Sequence, residues 1–403
     1  FGSRLKPIML LSRVHTSFGL DVLLYVALFV IFIWREINHL PCCRRLGHYI
    51  EYPTFLYLLM LGLLLCQVVQ TCETFAKNVN HSKAMTIALV CCLPIMFVML
   101  AMSWRLTRLH NAEISEGRAI VKHERAMNII ALPPVYGLMA VSSFVKLYNL
   151  IGVDPSNEQR DIAFARYETC IYVGDLYEAW ALYQFGKLTL ELLDETLEQR
   201  QAVLNGPPPH SARGGADSAT QPVTRGRQDS TRDIVLSFTA VSSLAWLGPW
   251  LLVVVCFVQA GYGVWLWCFH DPVSNWGATA ANFHKFSFAG MVASGAAIYN
   301  IHTIEQVFGH LMIGYSPLLK FLSVKILVFF AFWQMKILML LQKMHILPMN
   351  ERDVKLLHSI LLVWECLASC IMHSWAWGHR EVWYNLEDDE KAPLESGIRK
   401  HYT

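Results

Sequence analysis

The sequence predicts an all-α, polytopic membrane protein, and three observations carry that expectation. Of 403 residues, 54% are hydrophobic and only 16% charged, with a mean hydropathy of +0.36; an ordinary soluble domain carries about 25% charged residues. Nine apolar segments reach the roughly 17 to 25 residues needed to cross a hydrocarbon core about 30 Å thick. The basic residues fall mostly between those segments, and they favour alternate connections. A formal charge of +2 with no basic stripe excludes nucleic acid as a partner.

Taken in order, the segments are Phe18–Trp34, Thr54–Val69, Ala84–Trp104, Ala126–Leu147, Arg166–Leu193, Ile234–Val258, Phe286–Phe308, Leu318–Leu341 and Val354–Trp377. Arg4, Lys6 and Arg13 precede the first, but Trp34-Arg-Glu-Ile-Asn38 offers no small-residue cleavage site, so it reads as a span and not a signal sequence. Pro94, Pro133-Pro134 and Gly248-Pro249 interrupt three spans and free carbonyls that need other partners. Gly290, Ser294 and Ala297 form a small-residue ridge suited to close helix contact. Trp375, Trp377, Trp383 and Tyr384 at the end of the last span read as an interfacial belt.

Arg44, Arg45, Arg105, Arg108, Lys122, Arg125 and Arg380 gather on one side, which places the C-terminus in the cytosol by the positive-inside bias. Asn80-His-Ser82 is a glycosylation sequon on the opposite, outer side. Residues 194–233 lose apolar periodicity and are rich in Pro, Gly, Ser and Arg, as expected of a disordered cytosolic loop; residues 385–403 form a polar tail. Cysteines inside the spans read as apolar packing groups. Cys42 and Cys43, beside Arg44 and Arg45 at a membrane boundary, have the setting of S-acylation sites. No cysteine–histidine spacing specifies a metal, and no cofactor is expected.

Polar residues inside spans are costly and are functional candidates by default. At about 100° per residue, Glu168, Asp175 and Glu178 share one face of the fifth span. Tyr299, His302 and Glu305 cluster on the seventh, with Gln306 and His310; Lys320, Lys325, Trp333, Gln334 and Lys336 punctuate the eighth; His358 and Glu365 align on the ninth. These stripes are explained either by interhelical bonds that stabilise a bundle, or by the lining of a hydrated cavity.

Pro134-Val-Tyr136, Tyr177-Glu-Ala-Trp180, Tyr299 through Glu305, Pro317-Leu-Leu-Lys-Phe321, Val324-Lys325, Phe332-Trp-Gln334 and Leu347-Pro348 together resemble the organic solute transporter subunit alpha family, which also includes a branch of numbered transmembrane proteins. The resemblance covers residues 84–384. It implies a seven-helix core, here preceded by two additional N-terminal spans in residues 1–83, and transport of amphipathic organic anions of the bile-acid or conjugated-steroid kind by facilitated diffusion. It carries over Tyr177, Glu178, Glu305, Lys320, Lys325, Trp333 and Gln334 as motif positions, and it implies a single-pass beta-type subunit or a homo-oligomer as partner, alongside membrane lipids and an organic anion. Trp180 stands where many relatives carry Tyr.

A carrier of organic anions is therefore the leading expectation. A seven-helix receptor or adaptor without transport is the alternative that the long loop after the fifth span permits. An intramembrane metal-dependent hydrolase would need three or four converging ligands, and His302 with Glu305 could supply two, but no H-E-x-x-H arrangement is present. The expectation is that the protein is not an enzyme.

Overall fold

The computed structural model describes residues 52–76, 83–117, 119–148, 157–205, 246–266, 276–308, 315 and 317–384. Every regular element among them is helical. In chain order the α-helices are α1 (Tyr52–Ala76), α2 (Lys83–Ser115), α3 (Ile120–Ile130), α4 (Leu132–Tyr148), α5 (Asn157–Asn205), α6 (Trp246–Leu266), α7 (Trp276–Phe308), α8 (Pro317–Lys343) and α9 (Glu351–Ala376), followed by a 3-10 turn at Val382–Tyr384. By length and composition, five segments could cross a membrane: Pro53–Glu73, Met85–Ser115, Ile120–Tyr148, Trp246–Leu266 and Glu351–Ala376. Helices α5, α7 and α8 are also long enough, at 49, 33 and 27 residues. The first expected span, Cys42 and Cys43, Asn80 and His310 lie outside the described residues.

Helix α4 is the axis of the bundle. All of it except Lys146 is buried, and α1, α2, α5 and α9 pack around it. The outer helices turn large apolar side chains outward, among them Leu58, Ile87, Phe97, Leu251, Phe288 and Leu340, as a lipid-facing surface requires.

Pro133 and Pro134 break the fourth span as their missing N–H groups dictate. Helix α3 closes at Ala131, whose N–H donates to the Met127 carbonyl at 3.2 Å, and α4 restarts with the two prolines in its first turn, where they are tolerated. The Asn128 carbonyl beside the break accepts the Tyr177 hydroxyl at 3.1 Å. By contrast, α2 continues past Pro94 as one helix. Gly248-Pro249 sits in the first described turn of α6. There Gly248 permits a close approach to α7: a Cβ would collide with the Asn300 amide and lie 3.2 Å from the Ala297 Cα. The ridge of Gly290, Ser294 and Ala297 is buried accordingly.

Two expectations are corrected. The loop expected from Asp194 starts no earlier than residue 206, because α5 continues to Asn205. This end of α5 is held by Leu193 and Leu197 packing on Ile304 and Phe308, and by Lys122–Glu195 at 2.6 Å and an Arg125–Glu191 pair. The aromatic belt after α9 is Trp375 alone, which is 72% exposed; Trp377, Trp383 and Tyr384 are all buried at 3% exposure or less.

Candidate functional site

The acidic face of α5 leads into a cavity of about 100 Å³ enclosed by α5, α7, α8 and α9. Its walls combine two chemistries. Phe164, Ile171, Phe283, Met335 and Met339 provide apolar surface, while Glu168, Asp175, Lys336, Lys355, His284 and His358 bring charge and hydrogen-bonding groups. Since the N-terminal parts of α5, α7 and α9 contribute, the cavity sits toward the end of the bundle where those three helices start.

Lys355 dominates the polar wall. It lies in the second turn of α9, its side chain is only 4% exposed, and its ammonium pairs with Glu168 while Glu351 stands 4.0 Å away. The ring centroids of Tyr167 and Phe164 lie 4.8 and 5.3 Å from Nζ, so the cation rests on aromatic faces as well as on carboxylates. The Tyr167 hydroxyl and His358 Nδ1 are 2.7 Å apart, which ties α5 to α9 beside the pair. Tyr172 donates to the Phe283 carbonyl at 2.9 Å and ties α5 to α7 across the cavity.

Deeper along α5, Asp175 forms the inner wall and accepts the Tyr136 hydroxyl at 2.8 Å. Glu178, one turn further, is 1% exposed, and neither of its carboxyl oxygens has a hydrogen-bond partner among the described residues. The acidic stripe thus runs from an ion-paired carboxylate at the cavity mouth to an unpartnered carboxyl inside the bundle.

The opposite end is closed by a second polar cluster. Lys320, 1% exposed, donates to the Tyr315 carbonyl at 2.8 Å and to Glu381 Oε2 at 2.5 Å. Its ammonium lies 4.8, 5.6 and 5.4 Å from the ring centroids of Tyr315, Trp377 and Trp383. Glu381 also accepts Trp383 Nε1–H at 2.6 Å and the Gly378 N–H at 2.8 Å. The cation has drawn these rings inward, which is why they do not form an interfacial belt. Beside the cluster, His110 Nδ1 and His123 Nδ1 are 2.8 Å apart, His110 Nε2 is 3.2 Å from the Trp377 carbonyl, and His123 stacks on Tyr384 at 4.1 Å.

The remaining sequence candidates scatter. Glu168, Asp175 and His358 meet at the cavity, and Glu178 lies behind it. Tyr177 serves the helix break. Gln334 donates to Glu365 Oε1 at 2.6 Å, an α8–α9 bond. Tyr299 is 70% and Trp333 46% exposed on the outer surface. His302 and Glu305 lie 3.6 Å apart on α7, outside the cavity. Lys325 lies on α8, but its side chain is outside the described residues. Among the described residues, no three His, Cys, Asp or Glu side chains gather as metal ligands would. Sequence reasoning missed Lys355, Tyr167 and His284. For Lys355 a signal was present: it precedes His358 by three residues and so shares its face of α9.

No curated protein and no solved structure matches the chain significantly. A family model described as organic solute transporter Ostalpha matches residues 84–382, which is well over half of the 403-residue chain and contains every wall of the cavity. Helix α1, packed on α2 and α4 through Tyr57–Thr107 at 3.0 Å and Gln67 to the Leu138 carbonyl at 3.3 Å, precedes the matched region. This integral membrane protein belongs to the organic solute transporter Ostalpha family.

Proposed function

We propose that the chain carries amphipathic organic anions, of the conjugated-steroid or bile-acid kind, across the membrane, and that they bind in the cavity between α5, α7, α8 and α9. The observation that carries this reading is the make-up of that cavity: at about 100 Å³ it has room for an anionic headgroup and the apolar edge next to it, not for a whole steroid, with Lys355 and Lys336 suiting the head and the aromatic and methionine wall the edge. Family membership supports transport as the class of activity. In this reading α5, α7 and α8 cross the membrane with the five apolar helices and the first apolar segment, the cavity end faces outward or into a lumen, and the C-terminus is cytosolic. The chain acts without catalysis, in the plasma membrane or an endomembrane, with lipids and a single-pass subunit or a second copy as partners.

Uptake of a labelled steroid sulfate into vesicles reconstituted with the purified chain tests the reading. Expected is saturable uptake that collapses when Ile171 is replaced by Trp to fill the cavity. Uptake unchanged by Ile171→Trp in a folded protein would remove the cavity from the path.

A further inference from the structure

The cavity has one prominent buried cation, and that cation is already engaged. Lys355 is enclosed by Glu168, by the Tyr167 and Phe164 rings, and more distantly by Glu351. Any anion entering would find its natural partner occupied by a carboxylate of the protein itself. The two members of the pair are not equally committed. The Lys355 side chain is 4% exposed and fixed in the second turn of α9, whereas Glu168 is 24% exposed at the edge of the cavity and can turn toward solvent. Tyr167, its ring 4.8 Å from the Lys355 ammonium and its hydroxyl bonded to His358, is held in place whichever anion Lys355 faces. An arriving headgroup would therefore exchange one charged contact for another, and the displaced carboxylate would recover hydration.

We propose that Lys355 is the anion-recognition residue of this cavity and that Glu168 is its built-in competitor, occupying the ammonium until an anionic headgroup displaces it. The idea rests on the transport reading above and adds to it a specific consequence: removing Glu168 should improve anion binding, whereas a purely structural pair would only suffer from its loss. Carboxylate and sulfate headgroups share the required chemistry, and the apolar walls would hold the part of the solute nearest the headgroup irrespective of its charge.

The test compares pregnenolone sulfate with uncharged pregnenolone, binding to the full chain in lipid nanodiscs. For Glu168→Gln, sulfate affinity should rise about fivefold and pregnenolone affinity stay unchanged; for Lys355→Gln, sulfate affinity should fall about tenfold, again without change for pregnenolone. Equal or weaker sulfate binding by folded Glu168→Gln overturns the proposal. Should that variant not fold, the wild-type chain decides: inorganic sulfate should compete with pregnenolone sulfate and not with pregnenolone, and failure to compete overturns the proposal equally. If the wild type binds both steroids alike and sulfate competes with neither, the transport reading stands and the exchange falls. If it binds neither steroid, or prefers a quaternary ammonium steroid, the transport reading for anions falls with it.

Discussion

Removing Glu381 should destabilise the protein more than removing Lys320, although the two form one ion pair. Replacing Glu381 by Ala leaves an ammonium that is 1% exposed with only the Tyr315 carbonyl and three ring faces around it. Stranding one member of a buried pair costs about 3–5 kcal/mol. Two further donors, Trp383 Nε1–H and the Gly378 N–H, lose their acceptor at the same time. Replacing Lys320 by Met has a different balance. Glu381 is 24% exposed, keeps both of those donors and can draw on water, while the Met side chain fills apolar space between the rings. A cost of about 1–2 kcal/mol is expected, near that of one charged hydrogen bond less the desolvation that the lysine no longer suffers. The double variant Lys320→Met with Glu381→Ala should be more stable than Glu381→Ala alone. Reversible unfolding in mixed micelles, followed by far-ultraviolet circular dichroism, gives all three values. Equal costs for the single variants, or strictly additive costs in the double, would refute the argument that the ammonium is the buried member and the carboxylate the adaptable one.

Three other expectations follow from particular residues. An epitope tag inserted after Ala216, beyond the end of α5, should be labelled only after the membrane is permeabilised; labelling of intact cells would invert the orientation read from Lys and Arg. Acyl exchange with mass tagging should shift the intact protein and not a Cys42→Ser, Cys43→Ser double variant, and an unshifted wild type would leave both as plain thiols. Gly248→Val should lower stability by about 1–3 kcal/mol, since the added methyl groups meet Asn300 and Ala297 where α6 crosses α7; a wild-type melting curve would mean that the two helices can separate at no cost.

Much of the helical framework was legible because apolar length is a local property. So was the break before α4, because two missing N–H groups at Pro133 and Pro134 leave a helix no alternative. The acidic face of α5 was read from spacing alone, and Glu168 and Asp175 do share one cavity. Spacing, however, says which residues share a face and not which face meets the bundle. On α7 the buried stripe is Ala297, Ile301 and Ile304. Tyr299 lies about 200° around the helix from Ala297 and points outward, and the cluster it heads begins twelve residues beyond Ser287, about 18 Å further along α7, so it misses the cavity at the helix's start. The small residues of the ridge would have shown the correct side. The ends of spans were harder still. Lys355 stands one residue into the expected ninth segment, where sequence does not separate a boundary charge from a buried one, yet α9 begins at Glu351 and takes it into the interior. Lys320 finds Glu381 across 61 residues, and no periodicity connects positions on different elements.

The two polar clusters belong to one mechanical element. Helix α9 presents Lys355 and His358 to the cavity at its start, and the chain that leaves its end presents Trp377 and Glu381 to the closed side. Between the two, α9 packs with large and small side chains together: Leu362 and Val363 are buried in the core, while Ser359 meets Ser143 of α4 at 2.8 Å and Ser369 donates to the Ser323 carbonyl of α8 at 3.1 Å. The serine contacts let the helices lie close and bond across the interface. If a solute crosses from the cavity to the far end as proposed, it meets the layer of Phe185, Phe321 and Trp377, with the Lys320 ammonium 5.6 Å from the Trp377 ring centroid. Because a ligand shifts an equilibrium only by its differential affinity for the two states, the proposed exchange of Glu168 for an anion on Lys355 would act on the helix whose following chain holds Trp377 and Glu381 at the other end.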